Sequence, residues 1–230
     1  MAGNQAGSPG PHRRTVKILH IGKYFSPFHG GVESYLRDAM VSLASQGVEC
    51  AALVHQHEKS GRSSQDWIEL DGKRFKVVRA GVVFNLSFTP VSPSFPVLLG
   101  RLLKSFKPDI MHLHLPNPSA LWVLASLRAR KIPWIVHWHS DVIASSVLMK
   151  VLYSLYRPFE QGLLKRSAAI VATSETYRAS VRAYRGFRKS ATWCHWALIP
   201  GTTPRARMEA RCQEVTPRRK ARCVSWPSDG

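Results

Sequence analysis

Apolar residues recur along this chain in two alternating rhythms. Short continuous apolar runs, Val16–Ile21, Val48–Val54, Ile110–Leu115, Trp134–His137 and Ala169–Ala172, read as strands buried on both faces. Between them the apolar positions fall three and four residues apart. Val32, Leu36, Met40 and Leu43 share one helical face, and Gly47 stops that helix. Phe95, Leu98, Leu99, Leu102, Leu103 and Phe106 form a second stripe, with Arg101, Lys104 and Lys107 opposite. Further helices are predicted over Ala120–Ala129, Val147–Leu164 and Thr176–Tyr184. "WIELDGKRFKVV" predicts a hairpin turning on Asp71-Gly72, after a polar loop over His55–Asp66. No internal repeat is present. Strands separated by helices of this length predict an α/β fold: one Rossmann-like domain, a parallel sheet with helices on both faces.

In such sheets ligands bind outside the carboxyl ends of the strands. The segments that follow the strands are therefore informative. After the first comes "GKYFSPFHGGVE", then "HLHLPNP", "HWHSD" and "TSE" after later ones. Glycines, histidines, an aspartate and hydroxyls gather on one rim. Gly30 and Gly31 stand where a helix begins, and a helix N-terminus offers unpaired N–H groups and a positive dipole end. Without side chains there, an anion can approach the backbone. The plainer reading is a tight turn with no ligand. The motif is neither a G-x-G-x-x-G fingerprint nor a P-loop.

Residues two apart on a strand share a face, so His112 pairs with His114 and His137 with His139. A zinc site lacks a third ligand at typical spacing, so no metal is expected. His112 and His137, deeper in their strands, read as core histidines satisfied by backbone carbonyls. His114 and His139 lie at strand ends, where a ligand would sit, and Asp141 is placed to orient His139 or shift its pKa. No G-x-S-x-G elbow supports a hydrolase.

The formal net charge is +19, which favours an anionic partner. Residues 1–188 hold 25 Lys/Arg against 11 Asp/Glu, and residues 189–230 hold 8 against 3, so the excess is not one basic arm. Aromatics do not interleave with the basic residues and no nucleic-acid-binding motif appears, which argues against a nucleic-acid partner. Residues 1–14 read as a disordered Gly/Pro-rich lead-in without the apolar core of a signal peptide. Four cysteines without C-x-x-C spacing predict no disulfide framework and a reducing, cytoplasmic setting.

Taken together, "HGGVESYL", "PDIMHLHLPNP", "WIVHWHSD" and "AAIVATSE", in order and at natural spacing over about residues 15–188, resemble the N-terminal domain of GT-B glycosyltransferases of the retaining family-four group. The resemblance implies hexosyl transfer from a nucleotide-sugar donor to a saccharide or lipid-linked acceptor, in polysaccharide synthesis at the cell envelope. It implies no cofactor and no bound metal. It implies that this domain binds mainly the acceptor and that a second domain grips the donor. Gly30 and Gly31 would then face the donor diphosphate, His139 the transferred sugar and His114 would stand beside it. Tyr24, Glu33, Ser174 and Glu175 complete the expected site. Peripheral contact with the inner face of an anionic cytoplasmic membrane is part of this expectation.

The second domain's basic pair and glutamate motif are not recognisable after Gly186. Residues 189–230 lose periodicity and become rich in Arg, Pro and Trp. The genetic code supplies a test. Reading "TWCHWALI" from the third base of each codon, Trp193 into Cys194 must spell Val, His195 into Trp196 Leu, and Trp196 into Ala197 Gly. The remaining overlaps permit V-P-L-G-I-D, the strand-to-linker motif this family has here. A reading-frame shift near Gly186–Lys189 is therefore expected, with 189–230 an out-of-frame, disordered tail. The rival reading is a non-catalytic basic α/β module binding anionic membrane or nucleic acid. Its membrane form would use Phe95–Lys107 as an interfacial helix, against the plainer reading of a helix packed on the sheet.

Overall fold

A computed structural model describes residues 14–86, 89–142 and 146–172, and the backbone of Thr192–His195 and Arg211–Gln213. The strands are β1 (Lys17–Ile21), β2 (Glu49–His55), β3 (Ser64–Leu70), β4 (Lys73–Ala80), β5 (Phe84–Leu86), β6 (Thr89–Val91), β7 (Ile110–Leu115), β8 (Trp134–Trp138), β9 (Ala169–Ala172), β10 (Thr192–His195) and β11 (Arg211–Gln213). The helices are α1 (Gly31–Ser45), α2 (Phe95–Ser105), α3 (Leu121–Ala125) and α4 (Val147–Arg166). One sheet runs in the order β11-β10-β9-β8-β7-β1-β2-β4-β3, and β5 and β6 form a separate hairpin. Pairing is parallel except at the two margins, β3–β4 and β10–β11. The predicted α/β, Rossmann-like class holds.

The two faces of the sheet are built differently. Leu19 and Ile21 of β1, Met111, Leu113 and Leu115 of β7, and Trp134, Val136 and Trp138 of β8 join the apolar sides of α2, α3 and α4 in one core. The alternate residues face α1, where Leu36 and Met40 pack with Ile18, Cys50, Ala52, Val54 and Val77. At the centre of that second face the series becomes polar, because His20, His112, His114 and His137 stand where leucines would otherwise stand.

Most predicted elements are present, with instructive differences. The turn at Asp71-Gly72 has both residues at positive φ, 48° and 70°, as a two-residue hairpin turn demands. β3 starts at Ser64, inside the segment read as loop. It is an edge strand whose exposed residues, Gln65, Asp66, Trp67 and Glu69, are polar except for Trp67, so it lacks an apolar run. The predicted helix over 120–129 is shorter, with a 3-10 turn at each end, Pro118–Ala120 and Ala129–Lys131. The α2 stripe is buried, Phe95, Leu99, Leu102 and Leu103 all facing the core, so Phe95–Lys107 is not an interfacial helix. The predicted helix Thr176–Tyr184 lies outside the described residues. Residues 189–230 were expected to hold no element. That is corrected for β10, which pairs in parallel with β9, and for β11 beside it. The reason is local: β9 presents an unpaired row of N–H and C=O groups, and an extended backbone satisfies it.

Candidate functional site

β1 is flanked by β2 on one side and β7 on the other, so strand order reverses there, the place where open α/β sheets bind ligands. The histidines of β1, β7 and β8 meet at that point. Register sets His20 opposite His112 and His114 opposite His137. The shared faces predicted for His112 with His114 and for His137 with His139 are observed. His137 and His139 stack with centroids 4.1 Å apart and planes 1° from parallel. Tyr35 of α1 closes over them, its ring 4.4 Å from His137 and 5.3 Å from His139.

Two nitrogen–nitrogen hydrogen bonds thread the group. His20 Nδ1 lies 3.2 Å from His114 Nε2, and His114 Nδ1 lies 3.0 Å from His139 Nε2. Burial, and then the neighbouring imidazoles, hold His20 and His114 well below the ordinary histidine range. The same causes push His112 down to about 3, and burial pushes His139 down to about 4. All are neutral near pH 7, so each ring carries one N–H. His20 Nε2 is buried without a partner. A bare lone pair is a smaller penalty there than an orphaned N–H. That assigns the proton to Nδ1 of His20, which donates to His114. His114 then donates from Nδ1 to His139 Nε2, and His139 keeps its N–H on Nδ1. The relay ends on a half-buried ring at the rim, with a donor for a ligand oxygen.

Two expectations change here. His112 and His137 were read as satisfied by backbone carbonyls. Among the described residues His112 Nε2 and His137 Nδ1 have no hydrogen-bond partner, because the rings stack on one another. Asp141 was read as orienting His139. Its Oδ1 instead accepts from Trp138 Nε1 at 3.0 Å, and His114 holds His139. His20 and Tyr35 were missed. The signal for His20 was present in "KILHI", whose histidine shares a phase with those of the later strands once β1 is set beside β7.

The missing third metal ligand also appears. His20, His112 and His114, and again His114, His137 and His139, bring ligand nitrogens within 4.8 Å of one another. A metal bonds along lone pairs that lie in the ring planes. In the second group the rings are 1° to 17° from parallel, so no single point lies near all three planes. The first group is tilted by 26° to 45°, which meets that condition better, yet it is sealed in the core.

The glycine pair divides its labour. Gly30 caps α1 with extended backbone, φ −167°, and a Cβ there would run into the Glu33 carboxylate. Glu33, buried at the third helical position, already occupies the helix mouth beside Gly30. Around Gly31 nothing lies within 4 Å of a built Cβ. Room for an incoming anion therefore lies at Gly31. Tyr24 stands on the same loop, its ring against Phe28, His55 and His57. His55, read as loop, ends β2 and joins the rim: Nδ1 donates to the Lys23 carbonyl and Nε2 accepts from Ser119 Oγ, both at 2.9 Å. Ser174 and Glu175 lie outside the described residues.

A pair of substitutions separates the two glycines. Gly30→Ala should push the end of the Glu33 side chain aside and replace a tolerated N-cap by a poor one, lowering stability by about 1 kcal/mol. Gly31→Ala, at the first turn of a helix and in open space, should be neutral or slightly stabilising. Urea melts of both variants check this; equal losses would remove the distinction.

The chain matches the Glycosyl transferase 4-like domain family over residues 30–192. It is 26% identical over 182 residues to O-antigen chain mannosyltransferase C of Escherichia coli, an alignment covering 75% of this chain and 43% of that protein. It thus spans less than half the length of that curated relative. Two sucrose-phosphate synthase structures from Thermosynechococcus elongatus share the fold at 17% identity. One has a TM-score of 0.52 over 78% of this chain and 87% of that one, the other 0.55 over 74% and 45%. With the family match covering most of the chain and the sheet, switch point and rim in the expected order, the chain belongs to the glycosyl transferase 4-like domain family.

Proposed function

We propose that the chain is the acceptor-side half of a retaining hexosyltransferase. A hexose would pass from a nucleotide-sugar to a saccharide or lipid-linked acceptor in cell-envelope polysaccharide synthesis. The carrying observation is the histidine relay, which ends at His139 on the carboxyl rim of a domain of this family. In this reading His139 donates from Nδ1 to the sugar undergoing transfer, and His114 fixes its tautomer. The open backbone at Gly31 admits the donor diphosphate, beside Gly30, Glu33 and Tyr24. Ser174, Glu175 and Asp141 stand as outer members of the site. No cofactor or metal is assigned to the reaction.

A lipid-linked acceptor is favoured by a second observation. Val83, Phe84 and Leu86 are about half exposed on and beside the β5–β6 hairpin, which follows β4 at the carboxyl rim. They form an apolar wall where an acceptor's lipid portion would lie. The chain would work at the cytoplasmic face of an anionic membrane. Among the described residues no helix is long and apolar enough to cross one.

On the same reading, residues 189–230 are out of frame and the donor-gripping half is encoded downstream. The test is to assay this chain, and a version with the frame restored near codon 186, against nucleotide-sugars and lipid-linked acceptors. Nucleotide-mannose comes first, from the name of the relative. Transfer by the restored chain alone is expected. Comparable turnover by both would refute the missing-half argument, and no turnover by either with any donor would refute the proposed reaction.

A further inference from the structure

α4 is apolar on two sides. Its inner side, with Leu163, Leu164 and the buried Glu160, packs toward the sheet core. Its outer side presents Val147, Leu148, Val151, Leu155 and Phe159, each between 48% and 77% exposed. At about 100° per residue these five fall within an arc of roughly 120°. Burial in this domain does not account for them, since another side of the same helix makes the core.

The charges around that arc have one sign. Lys150 and Arg157 are exposed along one border, and Lys165 and Arg166 are exposed at the C-terminal end. The helix's one acidic residue, Glu160, points inward, where it accepts from Tyr153 Oη at 3.1 Å. Helices between parallel strands begin at the carboxyl rim, so Val147, Leu148 and Val151 open the arc on the side of the sheet where the histidine relay ends.

We infer that the outer face of α4 docks on an anionic lipid bilayer. The apolar arc would sink into the boundary between headgroups and acyl chains, with Lys150, Arg157 and Lys165 on anionic headgroups, while Arg166 is held by the Arg130 carbonyl and the Trp134 ring. A helix with Leu and Phe on one side and only cations beside them has the make-up of an interfacial helix. A protein partner would meet three cations with no acidic residue among them, whereas an anionic headgroup layer answers all three. The inference rests on the reading of a membrane-associated chain and names the surface that performs it. The helix lies flat, so the relay's outer end would stay close to the membrane plane, within reach of an acceptor held in it.

The experiment is co-sedimentation of the full chain with phosphatidylglycerol/phosphatidylethanolamine vesicles and with phosphatidylcholine vesicles, at low and high salt. Wild type should bind the anionic vesicles and bind phosphatidylcholine far less. Leu155→Glu/Phe159→Glu should lower partitioning at least about tenfold, and Lys150→Gln/Arg157→Gln about fivefold or more. High salt should weaken binding without abolishing it, since the apolar part is unscreened. Circular dichroism should be unchanged in both variants; if the Glu pair proves unfolded, Leu148→Ser/Leu155→Ser serves in its place. Arg218→Gln/Arg219→Gln/Lys220→Gln tests the basic residues of the tail and should bind like wild type. Wild-type binding by a chain with a disrupted α4 face would overturn the inference while leaving membrane association standing. So would loss of binding on neutralising the tail alone. Failure of wild type to bind anionic vesicles would overturn both. A concentration-dependent dimer in sedimentation velocity, abolished by Leu155→Glu/Phe159→Glu, would assign the face to a second copy and overturn the inference.

Discussion

Lowering the pH from 7.5 to 5.5 is expected to unfold this domain, or nearly so. Five buried histidines, His20, His55, His112, His114 and His137, and the half-buried His139 have pKa values depressed first of all by burial. In the unfolded chain each titrates near 6.5, whereas His55 and His139 in the fold titrate at about 4. Below pH 6.5 the unfolded chain therefore takes up protons that the folded chain refuses. The stability these groups confer is intact above that pH and is lost as the pH falls. Each loses about 1.4 kcal/mol per unit. Six groups one unit down amount to roughly 8 kcal/mol, comparable with the whole stability of a typical domain. Glu160 works in the opposite direction. Burial raises its carboxyl to about 7, so acid favours its folded form and offsets about 2 kcal/mol over the same span. No carboxylate among the described residues hydrogen-bonds a ring of the relay to soften the effect. Urea melts at the two pH values check this. An unchanged midpoint would mean that the histidines are not buried together.

The second large effect concerns turnover. In the frame-restored chain His139→Ala should lower kcat on the order of a hundredfold or more, the usual result of deleting a donor aimed at the reacting group. His114→Phe, which keeps a ring in the stack but removes the hydrogen bond to His139, should lower kcat about tenfold with little change in KM. It should also shift the His139 ring nitrogens in 15N NMR from one tautomer toward a mixture. A purely structural role for His114 would leave that spectrum unchanged. Full activity in His139→Ala would remove His139 from the mechanism.

The sequence disclosed the fold through its apolar runs, because a parallel sheet covered on both sides needs continuous Val, Ile and Leu and helices of fixed period. It disclosed His139 and His114 because strand ends and the rule of two are local properties. His20 was hidden because its importance comes from β1 lying beside β7, some ninety residues away in sequence. The role of Gly30 was hidden for a different reason: a pair of glycines looks alike on paper, and only the position of Glu33 shows which of them has room. The exposed arc of α4 was not singled out in the sequence, because amphipathic periodicity marks an apolar face without saying whether sheet or solvent lies against it. The stripe on α2 obeyed the same arithmetic and proved to be core.

The edge at β9 has a practical consequence. β10 pairs in parallel with Ala169–Ala172. A polypeptide stopping before Thr192 would leave that edge bare. Bare edges recruit extended segments from other molecules. Shortened versions of this protein should therefore be the ones that precipitate or swap strands at high concentration, even with every core residue in place. Dynamic light scattering on a version ending at Lys189, beside the full chain, would show the aggregates.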